Sequence, residues 1–258
     1  MGTSWRWRRH VMMLAITGPF LLAGGHLWAQ VPSPGGTLQL PGLGSTGDEM
    51  SPRLVAGPKG GILRLWQRRP YKPAGGGMVV LEAASSPDKW QPLVEIGSSE
   101  KGVTIGDPEI AISPSNELAL IYRWRRDEPR TKQLRLARSD DAGKNWSRPA
   151  TAIDTSGKAS DANIAWGGGR SLVAVWTDER RGMQLFDVYA RRSPDGGTTW
   201  EPEQVLSRFP QNLPSDLFAR PELIGDGQGR LWAVWVGVKS GRSSLYLCRS
   251  MDGGRTWM

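Results

Sequence analysis

The chemistry open to this chain is bounded by the reactive side chains it lacks. It has 258 residues and two histidines, His10 and His26. Both lie in an N-terminal stretch that reads as a removed leader. Without them the mature chain is denied Ser-His-Asp and Cys-His catalysis and any His-ligated metal. A single cysteine, Cys248, excludes thiolate zinc clusters and intrachain disulfides. No acidic stretch has calcium-loop spacing. Gly75-Gly76-Gly77 and Gly167-Gly168-Gly169 lack the lysine of a phosphate-cradling loop. No metal or cofactor is therefore expected, and any chemistry rests on Asp, Glu, Tyr, Ser, Lys and Arg. Cations exceed acids, with 33 Lys+Arg against 25 Asp+Glu and a net charge of +8. They gather in short stretches: Arg68 with Arg69 and Lys72, Arg125 and Arg126 within 123–132, Arg180 with Arg181, and Lys239 with Arg242. Guanidinium groups can clamp a carboxylate bidentately, so an acidic ligand is one reading. A solvated surface whose arginines pair with neighbouring acids is the other.

What positions these residues is a repeat. Ser139-Asp140-Asp141-Ala142-Gly143-Lys144-Asn145-Trp146 recurs as Ser193-Pro194-Asp195-Gly196-Gly197-Thr198-Thr199-Trp200 and as Ser250-Met251-Asp252-Gly253-Gly254-Arg255-Thr256-Trp257. A shortened form, Ser86-Pro87-Asp88-Lys89-Trp90, precedes them. The closing tryptophans are 56, 54 and 57 residues apart. Pro52, Pro108, Ala162 and Pro221 stand two residues before Leu54, Ile110, Ile164 and Leu223. Trp66, Tyr122, Trp176 and Trp235 each end a short apolar run. Fixed-period similarity of this kind marks an array of small structural units.

Each unit reads as short strands broken by Gly, Pro and Asn. In the second unit these are Pro108–Ile112, Leu118–Tyr122, Gln133–Arg138 and Pro149–Ile153. Four antiparallel strands at this period form a propeller blade, so the fold class is an all-β propeller with four visible four-stranded blades. In such a blade the turns after the first and third strands share one rim, and the other loops share the opposite rim. The box motifs fall on the first rim and the arginine-rich loops on the second, where binding loops sit on a rigid scaffold. The first strand is innermost, so Ser51, Asp107, Asp161 and Arg220 are placed at a central pocket. They constitute either a clamp for a ligand carboxylate or a structural ring of ion pairs.

The three eight-residue motifs resemble the Asp box of the sialidase superfamily and its bacterial neuraminidase repeats, over about Asp48 to Met258. The resemblance implies a structural turn. In it Ser139, Asp141, Gly143 and Trp146, with Ser193, Asp195, Gly197 and Trp200 and with Ser250, Asp252, Gly254 and Trp257, hold blades together rather than react. The physics agrees: Asp accepts following backbone amides, and Gly takes a dihedral that side chains avoid. The resemblance further implies a six-bladed or larger ring, an exo-acting glycoside hydrolase or a glycan-binding relative, and a site with an arginine triad, a Tyr–Glu pair and an Asp acid/base. These are only partly matched. The aromatic-Arg-Ile-Pro motif is replaced by Glu49-Met50-Ser51-Pro52, and its nearest likeness is Phe218-Ala219-Arg220-Pro221. Asp178, in Trp176-Thr177-Asp178-Glu179-Arg180, is the candidate acid. Tyr71 is the candidate nucleophile, being the one tyrosine in a ligand-side loop, and it has no assignable Glu partner. Tyr122, Tyr189 and Tyr246 read as packing residues. The expected function is binding without turnover, with hydrolysis as an alternative, and the expected partner is an anionic glycan or other acidic ligand, held by Arg220, Asp107, Asp161, Arg68, Arg125, Arg126 and Arg180. A protein partner is the alternative.

The N-terminus has the three parts of a secretory signal: Arg6, Arg8 and Arg9, an apolar run Val11 to Gly25, and Leu27-Trp28-Ala29 before a cleavage point. The run is shorter than the roughly 20 residues a membrane span needs. Residues 1–29 are thus a signal, 30–47 a linker and 48–258 the repeats with the last blade incomplete, and the product is secreted or periplasmic with no nucleic-acid partner and no membrane after signal cleavage. The visible repeats are read as part of a larger ring. The alternative is closure by a strand at Thr37–Leu40.

Overall fold

The structure, a computed structural model, describes residues 47–70, 76–86, 89–98, 100–147, 152–182, 186–207, 220–239 and 242–258. The expected leader, the Thr37–Leu40 strand and Tyr71 lie outside them. Among the described residues fourteen strands form four antiparallel sheets. The first comprises β1 (Gly47–Ala56), β2 (Ile62–Pro70), β3 (Met78–Ser86) and β4 (Lys89–Gly97). The second comprises β5 (Val103–Ile112), β6 (Leu118–Arg126) and β7 (Thr131–Ser139). The third comprises β8 (Ala159–Trp166), β9 (Leu172–Asp178), β10 (Asp187–Ser193) and the two-residue β11 (Gln204–Val205). The fourth comprises β12 (Glu222–Gly225), β13 (Leu231–Lys239) and β14 (Arg242–Ser250). Beyond β7, Ala152 bridges Arg135 and the Ile153 amide donates to the Leu134 carbonyl. Beyond β14, Met258 and Arg249 exchange both backbone bonds.

The first strands of successive sheets lie against one another, β5 on β8 and β8 on β12. Apolar residues fill the gaps between sheets. Leu65, Val79 and Leu81 meet Ile105, Leu118 and Leu120. Leu134 and Leu136 meet Leu172 and Trp176. Val173 and Val175 meet Leu231, Ala233 and Trp235. Alternation explains the assignment: β9, whose sheet is covered on both faces, is buried at every position, whereas β13 buries every second residue over 231–237. Burying each large side chain contributes about 1.5–3 kcal/mol, so these layers hold the sheets in sequence.

Strand ends differ from the sequence reading in one respect that matters. β5 starts five residues before Pro108, β6 runs on to Arg126 and β7 starts at Thr131. The expected arginine-rich loop of 123–132 is therefore a four-residue turn, and Arg125 and Arg126 stand on a strand. Arg68 likewise belongs to β2. Alternating Arg with Trp124 and Tyr122 satisfies strand period as well as loop composition does, and cross-strand pairing decides it. The relation between the rims follows from register. Ile112 and Ser139 both pair with Leu118, while Val103 and Thr131 both pair with Arg126. The box turns thus leave from one end of the strands, and the arginine-bearing ends lie at the other.

Candidate functional site

Three of the inner strands carry the same irregularity. Register slips between Met50 and Arg53, between Gly106 and Glu109, and between Ser160 and Asn163. At the slip, Ser51, Asp107 and Asp161 adopt φ of 53°, 50° and 46°. Left-handed backbone at a non-glycine residue costs of order 1–3 kcal/mol and persists where its surroundings over-determine it. Here the surroundings are specific. Gln67, almost wholly buried, accepts the Asp107 amide at 2.7 Å and donates to Ser51 Oγ at 3.3 Å, tying the first bulge to the second. Gly106 must lack a side chain for this, since a Cβ there would stand 2.4 Å from Gln67 Oε1.

Three bulged strands and the residues at the start of β12 each turn three consecutive residues toward one cavity of about 280 Å³. Its walls are the triplets Ser51-Pro52-Arg53, Asp107-Pro108-Glu109, Asp161-Ala162-Asn163 and Arg220-Pro221-Glu222. The four residues placed at a central pocket by strand counting are thus brought together. The polar residue two positions on in each repeat (Arg53, Glu109, Asn163, Glu222) was missed. The signal was present, because these residues fall between two sets of aligned positions, Pro52/Pro108/Ala162/Pro221 and Leu54/Ile110/Ile164/Leu223.

The cavity's charges are unevenly secured. Arg53 pairs with Glu109. Arg123 reaches Asp107 from β6 at 2.7 Å. Asn163 donates to Glu222 at 2.9 Å. Arg220, 63% exposed, stands 3.6 Å from Asp161, which also accepts a long bond from Thr177 at 3.4 Å. Burial pushes the Glu109 carboxyl up to about 7, with Arg53 pulling it down and Glu222 adding to the rise. A carboxyl poised there can give or take a proton near neutrality. Among the described residues no group of three or more His, Cys, Asp or Glu side chains is placed to hold a metal ion.

The other sequence candidates lie elsewhere. Asp178, 1% exposed, does not line the cavity. Its carboxylate accepts from Ser156 Oγ, Trp176 Nε1, the Arg180 amide and the Arg180 guanidinium. Burial works against its charge, yet the Arg180 and Ser156 bonds prevail and hold it below the usual range. Arg180 also bonds Glu203 at 2.6 Å and lies 4.0 Å over the Tyr189 ring. Arg125 pairs with Asp127 and Arg126 with Glu100. Arg68 lies over Trp66. The basic end of the strands is therefore laced with local ion pairs and ring contacts.

The box turns carry the opposite kind of carboxylate. Asp195 Oδ1 accepts from Ser193 Oγ and from the amides of Thr198 and Thr199, and Oδ2 from Thr199 Oγ1. Asp141 and Asp252 repeat the pattern with Asn145 and Thr256. Ser139, Ser193 and Ser250 each accept the amide of the box glycine. These bonds hold all three aspartates at about 2. The Asn145 amide is the chief cause for Asp141, and the Thr199 and Thr256 bonds outweigh burial for Asp195 and Asp252. Gly143, Gly197 and Gly254 have φ of 91°, 91° and 88° and face Leu93, Leu136 and Val173 of the preceding sheet. Trp146, Trp200 and Trp257 pack against the three inter-sheet clusters.

No protein-family model matches this chain, and no curated protein matches it. Solved structures do. A protein of unknown function from Dyadobacter fermentans aligns with TM-score 0.60 and 16% identity, over 80% of this chain and 66% of its own. The Penicillium chrysogenum alpha-L-arabinanase, solved with arabinobiose, aligns with TM-score 0.57 and 15% identity, over 80% and 63%. A leech intramolecular trans-sialidase aligns with TM-score 0.56 and 10% identity, over 83% and 50%. At these identities the likeness shows the fold, an all-β array of antiparallel sheets of the kind found in propeller glycosidases. The chain spans half to two thirds of the length of these three.

Proposed function

We propose that this protein is an exported, sialidase-like propeller that binds a glycan in the cavity between its inner strands, entered from the end opposite the Asp boxes. The observation that carries this reading is the convergence of four repeated triplets, each held open by a bulge or a proline, on one polar cavity. Polar groups converging on a concave site set on rigid strands are the usual form of a small-ligand site. The glycosidase neighbours raise the weight of a sugar over other polar ligands, as an analogy of fold. The remaining blades of a six-bladed ring, cleavage after Ala29 and delivery to the periplasm or the exterior belong to the same proposal. The test is calorimetric titration of the full chain with arabinobiose and with 3′-sialyllactose. Arabinobiose binding that Arg220→Ala and Glu222→Gln weaken, while Asp195→Ala leaves it unchanged, supports the cavity. Binding unaffected by the cavity variants contradicts it.

Turnover in the same cavity is the second reading, and Glu109 favours it. A carboxyl near 7 facing a second acid, Glu222, is suited to protonating a leaving sugar oxygen. Release of 4-nitrophenol from 4-nitrophenyl arabinofuranoside, or of a fluorophore from a sialoside, abolished by Glu109→Gln, would establish it. Binding without release supports a lectin-like protein. A scaffold for a protein partner follows if no sugar binds.

A further inference from the structure

The cavity's charge balance says what kind of sugar it can hold, and the argument rests on the glycan reading above. Among the described residues that line it, two guanidiniums, Arg53 and Arg220, face four carboxylates, Asp107, Glu109, Asp161 and Glu222. Arg53 is committed to Glu109, and the cation nearest Asp107, Arg123, is committed to it from behind. Among the described residues Arg220 is held more loosely than Arg53, 3.6 Å from Asp161. A ligand carboxylate or sulfate entering here would have to draw Arg220 away from Asp161 and leave that acid facing a second anion. Like charges brought together in a partly desolvated site are a strong means of rejection. An uncharged sugar meets no such penalty. Ionised carboxylates are acceptors only, and sugar hydroxyls can donate to them and accept from Arg220. Pro52, Pro108 and Pro221 supply apolar wall against ring carbons.

We infer that this cavity selects an uncharged, hydroxyl-rich sugar and rejects acidic sugars, with Asp161 and Glu222 as the rejecting groups and Arg220 as the group that turns to the ligand.

The experiment is a glycan array probed with the full chain. It carries neutral pentose and hexose oligosaccharides, their sialylated, uronic-acid and sulfated counterparts, and amine-bearing sugars, and hits are followed by calorimetry at low and high salt. The expected result is hits among uncharged sugars, with affinity changing less than about twofold with salt. Asp161→Asn, which keeps size and hydrogen bonding, is expected to raise affinity for an acidic counterpart such as 3′-sialyllactose by about tenfold at low salt. Glu222→Gln provides the same readout should the first variant fold poorly. Hits confined to acidic or amine-bearing sugars overturn the inference and leave the glycan reading standing. An array with no hits overturns both.

Discussion

The Asp boxes and the central cavity are both made of acidic residues repeated around the molecule, and they hold those acids in contrasting ways. In a box the carboxylate is satisfied within six residues of chain, by amides and hydroxyls that follow it. It is near the surface and holds a charge down to about pH 2. In the cavity Glu109 and Asp161 are answered by side chains from other sheets, Arg53 and Arg220, and the acid at 109 is lifted toward neutrality by burial. Local satisfaction makes an acid a fastener. Satisfaction across sheets, incomplete at Arg220, leaves it able to exchange partners with a ligand. Repetition alone therefore does not tell function, and the source of each acid's hydrogen bonds does.

The sharpest way to break the fastener half is at its glycine. Gly197 combines φ of 91° with a Cβ position 2.4 Å from Leu136 Cδ2. Gly197→Ala is expected to cost roughly 2–4 kcal/mol, from left-handed strain plus overpacking. A urea midpoint unchanged from the parent would show that the box does not dock the third sheet on the second. Asp195→Ala should cost less, about 1–2 kcal/mol, since it removes hydrogen bonds at an open turn. It should leave sugar binding as it was. The boxes also set the acid limb of stability. Their aspartates are at about 2 when folded against roughly 3.9 when unfolded. Their contribution is thus fully present above pH 4 and lost as pH falls through 2. Urea midpoints taken downward from pH 4 should fall more steeply in the parent than in Asp195→Ala.

The cavity half predicts an effect of opposite sign. Glu109 binds its proton more tightly in the fold, at about 7 against an ordinary 4.5. The unfolded chain releases that proton first, so the stabilising contribution is complete below about pH 4.5 and disappears as pH rises through 7. Glu109→Gln should flatten the fall in midpoint between these values. A parent profile with no such fall would show that Glu109 ionises normally.

Much of this was readable in the sequence, for a physical reason. Box turns are local: Ser, Asp and Gly at fixed offsets specify their own hydrogen bonds, so Asp141, Asp195 and Asp252 could be assigned from spacing. Ser51, Asp107, Asp161 and Arg220 could be brought to one place by strand counting. The first two bulges could not be foreseen, because they are tied together by Gln67 of one sheet reaching Asp107 of the next. Without them Arg53, Glu109, Asn163 and Glu222 read as ordinary strand positions. The arginines at 125 and 126 were placed in a loop on composition, since their strand is fixed by pairing with β7, a partner outside the local window.

The most direct measurement is a carbon-13 titration of the Asp and Glu carboxyl resonances of the full chain from pH 1.5 to 8.5, with and without a bound neutral sugar. The account predicts three box aspartates with midpoints near 2 that ignore the sugar, and Glu109 with a midpoint near 7 that moves when the sugar is added. Box midpoints near 4, or a Glu109 resonance that titrates near 4.5 and does not respond, would contradict it.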